Sequence, residues 1–200
     1  MIAVIDMGIS NLNSVLNALA YLNIEYVVSF SKDDIGNASH IILPGVGTFG
    51  QGMNQLHQRG LTTAIKIEIQ VNKKPILGIC LGMQMLFESS EESPGINGIG
   101  LLAGNVIQLK NSGNYTIPRI GWAESLFEKD FLGFSRNDVA DYYYIHSFCC
   151  NPKDKEVIAI TSEDKTVVSA VKSNVIYGCQ FHPEKSHRAG LKILEQFSKV

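Results

Sequence analysis

The sequence predicts an α/β fold: an open, mostly parallel central sheet with helices on both faces, continued by an antiparallel extension in its second half. Three observations carry this. In the first half, short apolar runs alternate with longer segments of helical periodicity, the pattern of a parallel sheet with crossover helices. In the second half, strand-like runs follow one another with few helices between them. The 200 residues are 45% apolar, enough for one sizeable core, so a single domain spanning 1–200 is expected, with no repeat, linker or low-complexity tract.

The chain opens with a four-residue apolar run, Ile2–Ile5, that ends at Asp6 and Gly8. Leu12, Val15, Leu16, Leu19 and Leu22 then recur at three- and four-residue steps behind Ser10 and Asn11, both suited to a helix start. Residues 26–30 and 41–43 read as strands, 61–71 as a helix despite its isoleucines, and 76–79 as a buried strand. The strand-like runs of the second half are 105–109, 142–148, 157–161, 167–171 and 175–181. Ser186 offers a cap for a closing helix with Leu191, Ile193, Leu194 and Phe197 at helical spacing. Residues 88–100, rich in Ser, Glu, Gly and Pro, are the most mobile loop expected.

Bulk chemistry narrows the function. A net charge of -2 gives no basic excess, so neither nucleic acid nor a membrane is expected as partner. The apolar start is too short for a signal sequence, and no later stretch is long enough to span a bilayer. Cys80, Cys149, Cys150 and Cys179 have neither metal-ligand nor secreted-disulfide spacing, which suggests free thiols in a reducing cytoplasm, without metal or cofactor. Gly45-Val46-Gly47 lacks the third glycine of a dinucleotide loop.

The chemistry concentrates at three places. Gly78-Ile79-Cys80-Leu81-Gly82 sits where a buried strand runs into an apolar helix-like stretch. A sharp turn there lifts the central side chain off the sheet, and a helix amino terminus favours a thiolate. A buried cysteine packing as a small apolar residue is the ordinary alternative. A hundred residues on, 175–181 leads into His182-Pro183-Glu184. In extended chain, residues two apart project to the same side, so Glu184 can hold the imidazole of His182 in the tautomer that accepts a proton from sulfur. A structural histidine and a surface acid are the alternatives, and His40, His57, His146 and His187 compete for the role of base. Third, Pro44-Gly45-Val46-Gly47 follows a strand and brings glycine-rich backbone to the sheet edge where Cys80 emerges, as a cradle for an oxyanion or as a plain turn.

Taken in order, PGVG at Pro44, GICLGMQ from Gly78, YYYIHSF from Tyr142 and QFHPEKS from Gln180 resemble the class I, triad-type glutamine amidotransferases. More narrowly they are similar to the branch formed by glutaminase subunits of imidazole glycerol phosphate synthases, and the resemblance runs nearly end to end. It implies a Cys80 thioester, His182 as base and acid, and Glu184 as its orienter. It implies oxyanion donors along Gly45, Val46, Gly47 and Leu81, and substrate glutamine held by Gln84, Glu92, Ser147 and Phe148. Asn11, Trp122, Tyr143 and Lys185 match positions that dock a (β/α)8-barrel cyclase subunit, which receives the ammonia in a heterodimer. The chain departs from that branch at Arg119 and Ala123, where histidine and asparagine are usual, and at Phe148, where tyrosine is common. Arg119 and Ala123 flank Trp122 and raise a second partner, a relative of the cyclase that amidinates an acetamido sugar of a surface polysaccharide. A free-standing cysteine hydrolase and an inactive interaction module are the readings from other classes.

Overall fold

A computed structural model of the chain describes residues 1–8, 12–110, 116–153, 156–165 and 167–200. The first part is a regular alternation. β1 (Ile2–Ile5) is followed by α1 (Leu12–Tyr21), β2 (Tyr26–Ser29), α2 (Lys32–Asn37), β3 (His40–Gly45), α3 (Phe49–Gln58), α4 (Leu61–Gln70), β4 (Ile76–Cys80) and α5 (Leu81–Met85). Local chemistry sets the helix starts. Ser31 accepts the amide of Asp33 to begin α2, and Thr48 and Gln51 form a reciprocal capping box on α3. Ser10 and Asn11 lie outside the described residues.

The remainder is strand-rich: β5 (Ser89–Ser90), β6 (Gly104–Gln108), β7 (Arg119–Phe127), β8 (Val139–His146), β9 (Phe148–Pro152), β10 (Val157–Thr161), β11 (Val168–Ser173) and β12 (Ile176–Cys179). A single 3-10 turn, Pro183–Lys185, and α6 (His187–Phe197) follow. Nine strands form one sheet in the order β2-β1-β3-β4-β12-β11-β10-β7-β8. It is parallel from β2 to β12 and antiparallel from β11 to β8.

Both faces of the parallel part are covered, which is why its strands read as unbroken apolar runs. Ile2, Val4, Ile42 and Leu77 face α1 and α6 through Val15, Leu19, Ile193 and Phe197. Ile5, Ile41, Leu43 and Ile76 face the other helices through Ile35, Met53, Leu56 and Ile65.

The structure departs from the expected second half in three ways, the first being β7, which was not among the expected strands. Residues 105–109 do not extend the main sheet: β6 pairs with β5 and β9 in a separate three-stranded sheet. The run 142–148 is two strands, since β8 pairs with β7 and β9 with β6, and the break falls at Ser147. The polar pair His146-Ser147 marks the break, but the apolar residues on either side make the run read as one strand. The loop 88–100 is tied down by backbone bonds from Glu88 to Gly104 and from Gly98 to Glu88, and Glu92 and Ser93 accept the first amides of α3. Among the described residues, no helix is long and apolar enough to cross a membrane.

Candidate active site

β3, β4 and β12 are neighbours in parallel register, with Gly45 beside Cys80 and Cys179 beside Ile79. Their carboxyl ends therefore deliver the 45–47 loop, Cys80 and residues 180–184 to one edge of the sheet, where open α/β sheets build their sites. Cys80 is the last residue of β4 and directly precedes α5, with φ 53 and ψ -109, a left-handed conformation that a side chain rarely adopts. The turn is closed by glycines that have no room for a Cβ. One on Gly82 would stand 1.7 Å from the Leu43 carbonyl oxygen, and one on Gly78 would stand 2.7 Å from the Met83 backbone. The sharp strand-to-helix corner expected from the sequence is thus enforced by close backbone packing.

Cys80 opens onto a cavity of about 230 Å3. Val46, Gly47 and Leu81 line it near the sulfur, together with Gln84, Glu92, Ser147 and Phe148. Gly45 lies behind, in ladder with Cys80, and a Cβ on it would meet Leu81 at 2.9 Å. Pro118, Ile145 and His146 complete the wall and were not among the residues singled out as substrate contacts. Alternation along β8 held the signal for His146, since Tyr142, Tyr144 and His146 share the buried side of that strand.

His182 is buried behind the sulfur, its Nδ1 2.8 Å from Glu184 Oε1. The carboxylate accepts from Nδ1, which leaves Nε2 to act on protons. Burial pushes the imidazole toward the neutral form, but the interactions with Cys80 and Glu184 prevail and raise its pKa to about 10. Nε2 itself has no hydrogen bond of good geometry, so the sulfur acts on the ring by proximity. The pair is not assembled by strand alternation. β12 stops at Cys179, His182 is extended, and Glu184 returns to it through the 3-10 turn that begins at Pro183. Ser186 does not cap α6 with its side chain: its hydroxyl donates to His182 O at 2.6 Å and accepts from Tyr143 N at 3.0 Å. With His182 N donating to Tyr143 O at 2.9 Å, the histidine backbone is pinned to β8.

Of the rival histidines, His40, His57 and His187 lie away from the Cys80 cavity, whereas His146 lines it. His57 is on the exposed side of α3, and His40 Nε2 lies 2.8 Å from Val200 O. His187 stacks on Trp122 with ring centroids 4.8 Å apart. His146 is buried, held neutral by burial that brings its pKa down to about 4, with Nδ1 2.8 Å from Phe148 O. Among the described residues, no cluster of His, Cys, Asp or Glu could hold a metal ion.

On the outer face of β7 and β8, Ile120, Trp122 and Ile145 are 59%, 46% and 40% exposed. Trp122 pairs across the ladder with half-buried Tyr143, and the Lys185 ammonium lies 5.7 Å from the Tyr143 ring. Trp122, Tyr143 and Lys185 therefore share one apolar surface with a cationic rim, while Asn11 lies outside the described residues. Arg119 and Ala123 point the other way. Both are buried on the inner face, where Arg119 pairs with Glu163 at 2.6 Å and lies over the Tyr144 ring. The two departures flank Trp122 in sequence yet change the interior of the hairpin.

A family profile described as "Glutamine amidotransferase class-I" matches residues 3–200. A curated relative from Bacillus cereus (strain G9842), "Imidazole glycerol phosphate synthase subunit HisH", is 42% identical, with 100% of this chain and 95% of the relative covered. From Campylobacter jejuni subsp. jejuni serotype O:23/36 (strain 81-176), "Imidazole glycerol phosphate synthase subunit HisH 1" is 38% identical over 100% of both chains. Among solved structures, a "Crystal structure of glutamine amidotransferase" superposes with a TM-score of 0.79 over 99% of each chain at 16% identity, a likeness of fold.

Proposed function

This chain belongs to the class-I glutamine amidotransferase family, and on that premise we propose that it is the glutaminase of an imidazole glycerol phosphate synthase. In this reading, residues 1–200 act as one cytoplasmic domain that cuts glutamine to glutamate and ammonia. The ammonia passes to a (β/α)8-barrel cyclase subunit, which forms imidazole glycerol phosphate and AICAR. The observation that carries it is the cavity itself: it places Cys80 between the 45–47 loop and the 145–148 wall, with the His182 and Glu184 pair behind the sulfur.

His182 takes the Cys80 proton, and the thiolate attacks the side-chain carbonyl carbon of glutamine. The developing oxyanion is met by backbone amides along Gly45, Val46 and Gly47 and by that of Leu81, the first residue of α5, which has no partner within its helix. His182 then protonates the departing nitrogen, releasing ammonia and leaving a thioester. Water, deprotonated by the same ring, releases glutamate, and Glu184 keeps the ring in one tautomer throughout. Substrate fills the space between Gln84, Glu92, Ser147 and Phe148. Both amide hydrogens of Gln84 are engaged by Phe148 O and Gln180 Oε1, so its own oxygen is the atom that meets the substrate ammonium beside Glu92.

The partner would seat on Ile120, Trp122, Tyr143, Ile145 and Lys185. These side chains are already partly covered, so burying the rest contributes about 1 kcal/mol each, which with Lys185 favours an apolar, anion-rimmed face on the barrel. The test is glutamate release from glutamine by the chain alone and with a histidine-pathway cyclase subunit plus its nucleotide substrate. Strong stimulation is the expected result. Stimulation only by the sugar-amidinating relative would transfer the ammonia to that partner, and turnover of peptides instead of glutamine would support a free-standing hydrolase. In the complex, Cys80→Ala is expected to abolish glutamine-dependent turnover and spare turnover from added ammonia. Loss of both would make Cys80 structural.

A further inference from the structure

Gln180 is fully buried, one residue beyond β12, and its amide nitrogen lies 3.6 Å from Cys80 Sγ. An amide can be turned about, so the orientation of this group decides whether sulfur faces a donor or an acceptor. A backbone atom settles it. Gln84 Nε2 lies 3.0 Å from the Phe148 carbonyl oxygen, which can only accept, so that end of Gln84 must be its NH2 group. The same nitrogen lies 3.0 Å from Gln180 Oε1, so the atom Gln180 turns toward Gln84 must be its oxygen. Its NH2 group is then the end that faces sulfur. The Phe148 carbonyl is in turn held by His146 Nδ1 at 2.8 Å, which anchors the chain of bonds to the cavity wall.

We propose that Gln180 is a catalytic residue of this site, a fixed N–H donor to the Cys80 sulfur held in that orientation by Gln84 and the Phe148 carbonyl. A thiol gains little from an N–H donor, because its sulfur is a weak acceptor; a thiolate gains much more. No proton leaves Gln180. When the Cys80 proton moves to His182, the amide is already in place to meet the charge left on sulfur. When sulfur bonds to the substrate carbon, that charge is spent and the amide stays where it is. The donor thus complements the helix amino terminus on another side of the same atom. The i, i+2 spacing to His182 places it in the sequence motif that carries the base.

The role in turnover rests on the glutaminase reading, but the contact to sulfur can be read without glutamine. The full chain, as wild type, Gln180→Met and Gln180→Glu, is treated with iodoacetamide at pH 8, and the rate of Cys80 labelling is followed by mass spectrometry. Q180M keeps the volume and removes the donor, and labelling is expected to slow about tenfold, the scale of one hydrogen bond to a charged group. Q180E keeps the oxygen that Gln84 binds and replaces the donor by a carboxylate oxygen, and is expected to be slower still. In the complex, Q180M is expected to lower kcat for glutamine about tenfold with KM within about twofold, the signature of a group acting on the reacting atom. Should either variant fail to fold, Gln84→Met frees the Gln180 amide without touching sulfur and is expected to slow labelling by a smaller factor. Folded variants labelled as fast as wild type would overturn the assignment. Slowed labelling in a chain that never hydrolyses glutamine would leave the donor in place and bring down the glutaminase reading instead.

Discussion

Along β3 and β4 nearly every side chain is buried whichever way it points, whereas along β7 and β8 burial alternates. Ala123, Ser125, Tyr142 and Tyr144 face in, while Ile120, Trp122 and Ile145 face solvent. The parallel half is closed by helices on both sides and spends that enclosure on a strained corner that needs rigid surroundings. Among the described residues, the hairpin is packed on its inner side, and its outer side leaves Ile120, Trp122 and Ile145 exposed, with only the His187 ring stacked on Trp122. The first region fixes the position of Cys80; the second leaves Ile120, Trp122 and Ile145 exposed.

The sharpest way to break the contrast is Gly82→Ala. Its Cβ would stand 1.7 Å from the Leu43 carbonyl, so either β3 or the corner must move. The expected loss is about 4 kcal/mol or more, at the high end for one substitution, read as the urea midpoint. Less than about 1 kcal/mol would show the enclosure to be loose.

Next in size is Glu184→Gln, which keeps the shape of the turn and weakens the hold on the His182 tautomer. In the complex, kcat for glutamine is expected to fall about 100-fold or more with the thermal midpoint little changed. A parallel fall in stability and activity would make the pair structural.

His146 probes the wall between the two regions. Burial, opposed by its bond to Phe148 O, lowers its folded pKa to about 4, against about 6.5 when unfolded. Between those values the unfolded chain holds a proton that the folded chain lacks. Its contribution is therefore intact above about pH 6.5 and lost as the pH falls toward 4, by up to about 3 kcal/mol. His146→Asn can still donate toward Phe148 O without titrating, so its stability should fall less steeply than wild type from pH 7 to 4.5 in urea titrations. Identical slopes would remove His146 from the acid response.

Smallest for the chain itself is Trp122→Asp on the open face. Stability is expected within about 1 kcal/mol of wild type, and Cys80 labelling unchanged, while stimulation by the cyclase is lost. Retained stimulation would move the docking face elsewhere.

The same contrast explains what could be read in the sequence. Strands buried on both sides leave continuous apolar runs, so β1, β3 and β4 were legible, as was the amphipathic closing helix. Cys80, the 45–47 loop and Gln84 belong to motifs tied to those strands, whereas Pro118, Ile145 and His146 on the far wall do not. β7, buried on one side, was not legible because Gly121 and Glu124 hide its alternation, and the switch of sheets at Ser147 was missed because the polar pair His146-Ser147 is too short to read as a loop. His182 and Glu184 were matched for the wrong local reason, since a 3-10 turn joins them. Arg119 and Ala123 were weighed as neighbours of Trp122, although residues one or three apart in a strand face opposite sides. Gln180 escaped because only the titratable members of its motif were considered.

β12 lies between β4 and β11, so the edge of β4 that carries Cys80 waits for a strand from far along the chain. The contact from Gln180 to Cys80 closes a loop of 100 residues, an ordering cost of about 4 kcal/mol that no nearby bond offsets in advance. On the ribosome, Cys80 emerges long before the segment that carries Gln180 and His182. Until β12 inserts beside β4, Cys80 lacks its neighbours Gln180 and His182, so the surroundings of the sulfur are completed only together with the sheet.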